Sequence, residues 1–418
     1  METLNNPSRS SWEALCQRPL ADDPVVRGRV ESILARVKEK GDEALRELSL
    51  EIDGRALESI EISREELNAV RVSPEIEKAI GRSAINITAF HAAQRPREVR
   101  VETAPGVTCI QRPVPIGKVG LYIPGGSAPL FSTVLMLALP ARLAGCREII
   151  LCTPAQSPEV LYAARVCGVS RIFRVGGAQA IAAMAYGTES IPRVDKIFGP
   201  GNRYVTTAKQ MLSAGTVAID MPAGPSEVMV LADATTPAAF AAADLLSQAE
   251  HGPDSQVMLV TDSEVTARAI LEEVERQKAL LPRCDIAEKA LEKSRAVVLE
   301  NLEDRIDFAN TYAPEHLIIE CAEPWKLADA ITAAGSVFVG PYTPESAGDY
   351  ASGTNHTLPT SGWARAFSGV NMDSYYRKMT LQEITREGLE GLRDTIVNMA
   401  VAEGLDAHAN AVKVRTDE

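Results

Sequence analysis

The chain has 418 residues, of which 45% are hydrophobic and 24% charged, and its formal net charge is −13. This composition predicts a globular protein of two large domains, or one core with an insertion, and its acidity argues against a nucleic-acid partner. The apolar runs are far shorter than the ~20 residues of a membrane span, so no membrane partner is expected. The seven cysteines form no C-x-x-C pair, and the first residues do not resemble a signal peptide. Both features predict a cytoplasmic protein.

The first 95 residues are predicted to be a short arm followed by a mostly helical region. The arm covers residues 1–20, and apolar residues with helical spacing begin at about residue 22. A helix break is expected at Gly41, followed by a helix that Asp42 caps. His91, in A-F-H-A-A-Q-R, is expected on a helix surface.

From about residue 117, short apolar segments that end in Gly or Pro turns alternate with helical stretches. This alternation is typical of a parallel α/β sheet. The predicted strands are 119–123, 148–152, 171–175, 196–198, 217–219, 227–232, 256–261, 296–299, 316–320 and 336–339. The predicted helices are 131–144, 158–167, 178–186, 203–213, 237–250 and 264–277. The expected fold class is therefore α/β, with two Rossmann-like parallel-sheet domains, a helical N-terminal region and a helical C-terminal tail.

The last part of the chain is predicted to be a helical tail. Thr380 and Glu383 have the spacing of a capping box, and apolar residues with helical spacing follow from Leu381 to Met399. A short segment with Glu403 and His408 comes after them. An amphipathic tail that follows a complete α/β body should pack on that body or on another subunit.

Histidine is rare in this chain, and its placement indicates chemistry. Of five histidines, His251, His316, His356 and His408 lie in short segments that are rich in carboxylates and glycines. Imidazole titrates near neutral pH and is the commonest metal ligand. The pattern favours a metal enzyme or an acid/base enzyme.

Gln248 and His251 are candidate metal ligands. They are three residues apart at the end of a predicted helix, so their side chains share a face. Asp349 and His408 offer two more ligands in equally polar surroundings. One amide, one carboxylate and two imidazoles suit zinc, with manganese or cobalt as substitutes. For the Gln248–His251 pair alone, a solvated surface histidine remains the alternative.

Glu315 and His316 stand at the start of a predicted buried strand. Adjacent strand residues point to opposite faces, so both reach one site only if the strand begins there. The histidine could then take a proton from an alcohol while the glutamate activates water. The alternative is a helix-capping glutamate beside an exposed histidine.

Three glycine-rich turns follow predicted strands and could let backbone N–H groups approach phosphates. They are Pro124-Gly125-Gly126, Gly176-Gly177 and Gly199-Pro200-Gly201-Asn202. A full G-x-G-x-x-G fingerprint is missing, because Tyr204 stands where the third glycine would be. Ordinary turn glycines remain the alternative. The sequence also lacks G-x-S-x-G and H-E-x-x-H, so hydrolases of those types have no candidate residues.

Longer strings, in order along nearly the whole chain from about residue 25, resemble the histidinol dehydrogenase family. They are G-L-Y-I-P-G-G-S-A-P-L-F-S-T-V-L-M-L-A at 120–138, V-G-G-A-Q-A-I-A-A at 175–183, D-K-I-F-G-P-G-N at 195–202, D-M-P-A-G-P-S-E-V at 220–228, D-L-L-S-Q-A-E-H-G-P-D-S-Q-V at 244–257, P-E-H-L-I-I at 314–319, E-S-A-G-D-Y-A-S-G-T-N-H at 345–356 and E-G-L-D-A-H-A-N-A-V at 403–412.

The resemblance implies a role for each candidate residue. The implied zinc ligands are Gln248, His251, Asp349 and His408. The implied acid/base pair is Glu315 and His316, and the implied NAD contacts are Tyr122, Gln179 and Asn202. The implied substrate contacts are Ser226, His316, Glu403 and the four zinc ligands, with His356 nearby.

The resemblance also implies the reaction, which is oxidation of L-histidinol to L-histidine through L-histidinaldehyde with two NAD⁺. It implies a homodimer whose C-terminal tail completes the partner's site. The expected division is an arm at 1–20, a main α/β domain with the metal and catalytic residues at 21–121 plus 226–370, an NAD-binding domain at 122–225 and a helical tail at 371–418.

Three alternatives to this activity stay open. One is an NAD-dependent dehydrogenase of the same family that acts on another small alcohol. Another is a zinc hydrolase, because glutamate and zinc together also suit water attack. A non-catalytic metal- or ligand-binding protein is the third, and it leaves Glu315 and His316 without a role.

Overall fold

The computed structural model describes residues 1–18, 23–125, 130–155 and 157–417. Gly126 of the first glycine turn and the expected boundary between residues 20 and 21 lie outside the described residues. Within them, the strands are β1 Glu2–Asn5, β2 Val99–Ala104, β3 Val107–Pro115, β4 Lys118–Tyr122, β5 Glu148–Cys152, β6 Arg171–Phe173, β7 Lys196–Phe198, β8 Ala218–Ile219, β9 Glu227–Ala232, β10 Gln256–Thr261, β11 Arg295–Val298, β12 His316–Ile319, β13 Ser336–Val339 and β14 Tyr376–Ile384.

Helices cover most of the remaining described chain. They are α1 Trp12–Leu15, α2 Pro24–Lys40, α3 Asp42–Asp53, α4 Arg64–Ala69, α5 Pro74–Ala93, α6 Phe131–Ala144, α7 Pro158–Cys167, α8 Gly177–Tyr186, α9 Arg203–Ser213, α10 Ala238–Ala249, α11 Glu264–Lys278, α12 Cys284–Glu292, α13 Leu302–Tyr312, α14 Pro324–Ala328, α15 Glu345–Tyr350, α16 Arg386–Ala402 and α17 Asp406–Thr416. None of the described helices is long and apolar enough to cross a membrane.

Two parallel sheets form the body, and they share one topology. The five-stranded sheet has the order β6-β5-β4-β7-β8, and the six-stranded sheet has the order β1-β11-β10-β9-β12-β13. Starting from β4 in one sheet and from β9 in the other, the chain adds two strands on one side and then two on the other, as in a doubly wound fold. In the six-stranded sheet, β1 is an additional edge strand beside β11. The predicted α/β class with two Rossmann-like sheets is therefore confirmed.

The central strands of both sheets are buried because helices cover both faces. All six residues of β9 and all six of β10 are buried, which is why such strands are continuous apolar runs in the sequence. Val30 and Leu45 of the N-terminal helices share a core with Ile150 and Ile181 of the five-stranded sheet and its helices. The domain division stays a prediction, but this packing places α2 and α3 on the five-stranded sheet.

A third sheet, antiparallel with the order β14-β3-β2, corrects the predicted start of the C-terminal helix. Thr380 does not cap a helix, because it lies in β14 and pairs with Gln111. The helix α16 starts at Arg386, and its N-cap is Thr385, whose side chain accepts from the backbone N–H of Gly388. Nine residues of β14 pair with β3, and this distant partner outweighs the local capping pattern.

Two expectations for the N-terminal region are also wrong. The break at Gly41 is confirmed, with φ of 53°, but Gly41 itself is the N-cap of α3. Asp42 instead accepts a hydrogen bond from the backbone N–H of Ser190. His91 is fully buried and not on a helix surface. Its Nε2 lies 3.4 Å from Asn355 Nδ2, and its Nδ1 donates to the carbonyl of Ile87 at 2.8 Å.

Candidate active site

The predicted catalytic residues lie at the amino edge of the six-stranded sheet. Glu227 begins β9, and Glu315 immediately precedes β12, which pairs in parallel with β9. The helix α10 ends at Ala249, shortly before β10 begins at Gln256. Gln248 and His251 are therefore brought to the same edge.

Glu315 and His316 are both held by the backbone of Glu227. The carboxylate of Glu315 accepts from the Glu227 N–H at 2.8 Å, and His316 Nδ1 donates to the Glu227 carbonyl at 3.1 Å. Because a carbonyl only accepts, Nδ1 carries the hydrogen and Nε2 keeps its lone pair. Nε2 is buried and has no hydrogen-bond partner among the described residues. Since β12 begins at His316, both side chains reach one site.

Burial shifts the pKa of these two side chains in opposite directions. Burial raises the pKa of Glu315 well above its ordinary value. The hydrogen bond from the Glu227 N–H lowers this pKa, whereas the negative charges of Glu227 and Asp349 raise it further. Burial lowers the pKa of His316 to about 4, although the charge of Asp349 opposes this shift. Each shift favours the uncharged form, because charge is costly away from water. Burial therefore favours a neutral imidazole in His316 and opposes ionisation of the neighbouring Glu315.

Gln248, His251 and Asp349 supply donor atoms that fit a metal. Gln248 Nε2 lies 3.2 Å from His251 Nδ1. Gln248 Oε1 and Asp349 Oδ1 are buried and have no hydrogen-bond partner among the described residues. His251 stands exposed at the rim, yet desolvation lowers its pKa and the charge of Asp349 opposes that shift. Buried polar atoms without partners are uncommon, and an amide oxygen beside a carboxylate oxygen and an imidazole is a donor set that fits a bound cation.

Glu345 is a site residue that the sequence reasoning missed. Donor atoms of His316, Glu345 and Asp349 lie within 4.8 Å of one another, and Glu345 Oε1 is 3.7 Å from His316 Nδ1. Burial raises the pKa of Glu345 well above its ordinary value, and the nearby charge of Asp349 adds to the shift. The available signal was its position four residues before Asp349, which places both on one helical face.

His356 and Ser226 lie beside this group. His356 Nδ1 donates to the backbone carbonyl of Asp349 at 3.1 Å, and its Nε2 is 3.0 Å from Thr133 Oγ1 in α6. Ser226 directly precedes Glu227 and is partly buried. His356 is therefore tied to Asp349 by a hydrogen bond, and Ser226 adjoins Glu227 along the chain.

Glu403 and His408 are exposed within the single subunit. Glu403 is the C-cap of α16, and His408 lies in the first turn of α17. His408 does not belong to the cluster formed by His316, Glu345 and Asp349. The structure thus gathers three of the four predicted zinc ligands at one sheet edge and leaves the fourth on the surface.

The predicted cofactor residues Tyr122, Gln179 and Asn202 line a single cavity of about 900 Å³. Tyr122 ends β4, Gln179 lies in the first turn of α8, and Asn202 is the N-cap of α9. All three follow the carboxyl ends of strands in the five-stranded sheet. This edge, where the strand order reverses between β4 and β7, is where doubly wound folds bind their ligands.

The glycine turns of this cavity depend on the absence of side chains. Gly199 has φ of 131°, and a Cβ there would lie 2.1 Å from the carbonyl oxygen of Tyr122. The backbone N–H of Gly177 donates to the Tyr122 hydroxyl at 3.1 Å. Asn202 caps α9 by accepting from the N–H groups of Tyr204 and Val205. The turns therefore present a helix start to the cavity, an arrangement suited to an anionic ligand.

Comparisons with known proteins agree on one family. The family model described as histidinol dehydrogenase matches residues 16–416. The histidinol dehydrogenase of Bacteroides thetaiotaomicron is 53% identical over 422 residues, which cover 99% of each chain. That of Escherichia coli is 51% identical over 420 residues, which cover 99% of this chain and 96% of the relative.

Solved structures extend the likeness to the fold. The crystal structure of histidinol dehydrogenase from Elizabethkingia anophelis has a TM-score of 0.96 at 50% identity and covers 100% of this chain and 98% of its own. An acetylating aldehyde dehydrogenase from Geobacillus thermoglucosidasius has a TM-score of 0.51 at 14% identity, with 89% and 93% covered. That second likeness concerns the fold alone.

Proposed function

This chain belongs to the histidinol dehydrogenase family, and we propose that it oxidises L-histidinol to L-histidine through L-histidinaldehyde, with reduction of two NAD⁺. The observation that carries the proposal is the pair Glu315 and His316 on the backbone of Glu227. His316 Nε2 is buried and has no hydrogen-bond partner in the part of the chain that the structure describes. Oxidation of an alcohol requires a base that accepts the hydroxyl proton, and His316 Nε2 can act as that base.

In the first oxidation the carbinol carbon loses a hydride and His316 Nε2 accepts the hydroxyl proton, which leaves the aldehyde. The second oxidation requires water, because the aldehyde must become a hydrate before it can lose another hydride. Glu315, once ionised, accepts the proton of the attacking water. Loss of the second hydride gives the carboxylic acid, which releases one more proton as the carboxylate, so one water is consumed, two hydrides leave and three protons are released in all.

Two bound groups complete this chemistry. NAD⁺ in the cavity lined by Tyr122, Gln179 and Asn202 would accept the hydrides, while a zinc ion on Gln248, His251, Asp349 and His408 of the partner subunit would fix the substrate's imidazole and amine. Two nitrogens and two side-chain oxygens suit zinc. Gln248 Oε1 and Asp349 Oδ1, which are buried without a hydrogen-bond partner among the described residues, support this donor set.

The testing experiment is the stoichiometry of NADH formed per histidinol consumed. Purified enzyme loaded with zinc should form two NADH per histidinol and release histidine. One NADH would indicate a simple alcohol dehydrogenase, and turnover without nicotinamide would indicate a hydrolase. A panel of other small alcohols under the same conditions tests whether histidinol is the preferred substrate.

A further inference from the structure

The side chain of Glu227 is tied to the N-terminal arm by a buried ion pair. Arg18 Nε and Nη2 donate to the two carboxylate oxygens of Glu227, each at 2.9 Å. The same Nη2 donates to the carbonyl of Tyr312 at 2.8 Å, and the guanidinium lies 3.6 Å from the centroid of the Tyr312 ring. Only 2% of the Glu227 side chain is exposed. Such a two-point contact fixes orientation as well as charge.

The main chain of Glu227 carries both catalytic side chains. Its N–H holds the Glu315 carboxylate and its carbonyl holds His316 Nδ1. Its carboxylate also accepts from the backbone N–H of Ser361 at 2.8 Å. One residue at the first position of β9 thus joins the arm, the segment that follows α15 and the two catalytic groups.

Glu227 is the first residue of β9 and pairs with Gln256 of β10, whereas the next residue, Val228, pairs with both β10 and β12. The N–H and the carbonyl of Glu227 belong to the two peptide units that meet at its Cα, so a displacement of this residue would move both the donor for Glu315 and the acceptor for His316. We propose that Arg18 is a positioning residue for the reaction, because it fixes Glu227 and thereby sets the geometry of Glu315 and His316. This inference rests on the function proposed above.

The chain provides a matched control for loss of the arm. Arg9 lies on the same arm and pairs with Asp304 and Asp307 of α13. The side chains of these ion pairs are far more exposed than those of Arg18 and Glu227. Arg9→Ala removes an anchor of the arm without touching Glu227. Arg18→Lys retains the charge but lacks the planar fork of the guanidinium.

The experiment compares Arg18→Ala, Arg18→Lys and Arg9→Ala as zinc-loaded enzymes, at a temperature where circular dichroism shows each to be folded. Arg18→Ala should lower kcat by about 10- to 100-fold for both histidinol and histidinaldehyde, as small displacements of catalytic groups do. Its KM for NAD⁺ and its zinc content should stay unchanged. The kcat of Arg18→Lys should lie between those of the wild type and Arg18→Ala, and Arg9→Ala should keep the wild-type kcat.

Chemical rescue separates positioning from a merely structural role. A cavity of about 420 Å³ opens on Arg18, lined also by Gln17, Thr311 and Ser361, so a small cation can enter. Guanidinium at a low, non-denaturing concentration should restore part of the kcat of Arg18→Ala, whereas methylammonium at equal ionic strength should not. In Glu227→Gln, where Arg18 still fills the site, kcat should fall without rescue.

Three results would overturn the proposal: wild-type kcat in Arg18→Ala, an equal loss in Arg9→Ala, or no rescue by guanidinium. If Arg18→Ala does not fold, an undiminished kcat in Glu227→Gln overturns it as well. A wild-type chain that is inactive on histidinol would contradict the proposed function itself. An active wild type with an unaffected Arg18→Ala contradicts the positioning role alone.

Discussion

Glu315 and His316 are neighbours in the chain, and the same burial has opposite consequences for them. Removal from water disfavours the anion of Glu315 and the cation of His316, so the pKa of the first rises and that of the second falls. His316 is therefore a free base from about pH 4 upward. Glu315 can act as a base only at a pH high enough to ionise it. The two half-reactions should consequently respond differently to pH.

We predict that Glu315→Gln slows oxidation of histidinaldehyde far more than oxidation of histidinol. Only the aldehyde step needs water, and a general base contributes about 10²–10⁴-fold. In the wild type the aldehyde rate should rise with pH as Glu315 ionises, and Glu315→Gln should remove that rise. NADH formation from each substrate across a pH series measures both effects. Equal losses for the two substrates would exclude the division of roles.

We predict that His251→Asn loses most of its zinc and activity while it keeps its fold. The substitution removes one nitrogen from a donor set whose Gln248 and Asp349 oxygens have no other partner among the described residues. Metal analysis and circular dichroism measure the outcome. Asp254→Asn is the control, because Asp254 lies in the same turn and pairs with Lys293 on the surface. Full zinc and full turnover in His251→Asn would reject this metal site.

At the level of elements, the prediction succeeded where structure is local. The helices 131–144 and 158–167 and the strands 148–152 and 256–261 have the predicted bounds, because spacing and turn residues lie within each segment. The strands β2 and β3 were not predicted. Most of β2 is exposed on both faces, so buried and exposed residues do not alternate along it. Thr380 was placed in a helix because its partner Gln111 is distant in the chain.

The candidate site shows the same limit. Gln248 and His251 were predicted because their spacing is local, and Glu315 and His316 because they open a buried strand. The sequence carries no comparable signal for Glu227, which stands in an apolar strand and matters through its backbone. Arg18 is 209 residues away from Glu227, so only the folded chain shows their contact.

The far end of β12 carries another buried acidic pair, which predicts a pH-dependent stability. Burial raises the pKa of Glu320 to about 8, and the nearby Asp244 of α10 adds to the shift. Burial also raises the pKa of Asp244 to about 6, which its hydrogen bond with Glu320 opposes. The native state keeps protons that the unfolded chain releases near the ordinary values of 4.5 and 3.8. Stability should therefore fall as the pH rises toward about 8.

We predict that Glu320→Gln reduces this loss, because the amide stays neutral. Between about pH 5 and about pH 9 the variant should lose less unfolding free energy than the wild type, by at least ~1 kcal/mol. Chemical denaturation at the two pH values measures the difference. Glu323→Gln is the control, since Glu323 is exposed and pairs with Lys326. A pH dependence equal to that of the wild type in Glu320→Gln would contradict the assignment.

At the scale of the whole molecule, two parallel sheets, which share one order over five strands, place their candidate residues at opposite strand ends: the carboxyl ends in one sheet and the amino ends in the other. The cofactor cavity follows the carboxyl ends of the five-stranded sheet, whereas Glu315 and His316 begin a strand of the six-stranded sheet. The contact between Thr133 of α6 and His356 joins the two halves. The two halves are therefore in contact next to Asp349, whose carbonyl accepts a hydrogen bond from His356.

Within one subunit, the C-terminal helices keep Glu403 and His408 on the surface, away from the candidate metal ligands. Four large apolar side chains in α16, α17 and their connection are exposed, namely Met399, Val401, Leu405 and Val414. Exposed apolar residues that gather on one segment of a chain are typical of an interaction surface. Glu403 and His408 are exposed on the same segment. We predict a homodimer in which each tail reaches the partner's site, so that His408 of the partner subunit supplies the fourth zinc ligand.

Mixing two inactive variants tests this exchange. His251→Asn damages the body and His408→Asn damages the tail, so a mixed dimer has one intact site and one with both lesions. Random pairing makes about half of the dimers mixed, each with one good site of two, so activity should recover to at most about a quarter of wild type. Mixing His251→Asn with Asp349→Asn is the control, and it should restore nothing because both bodies are damaged. If subunits exchange and the first mixture stays inactive, each subunit uses its own tail and the shared site is wrong.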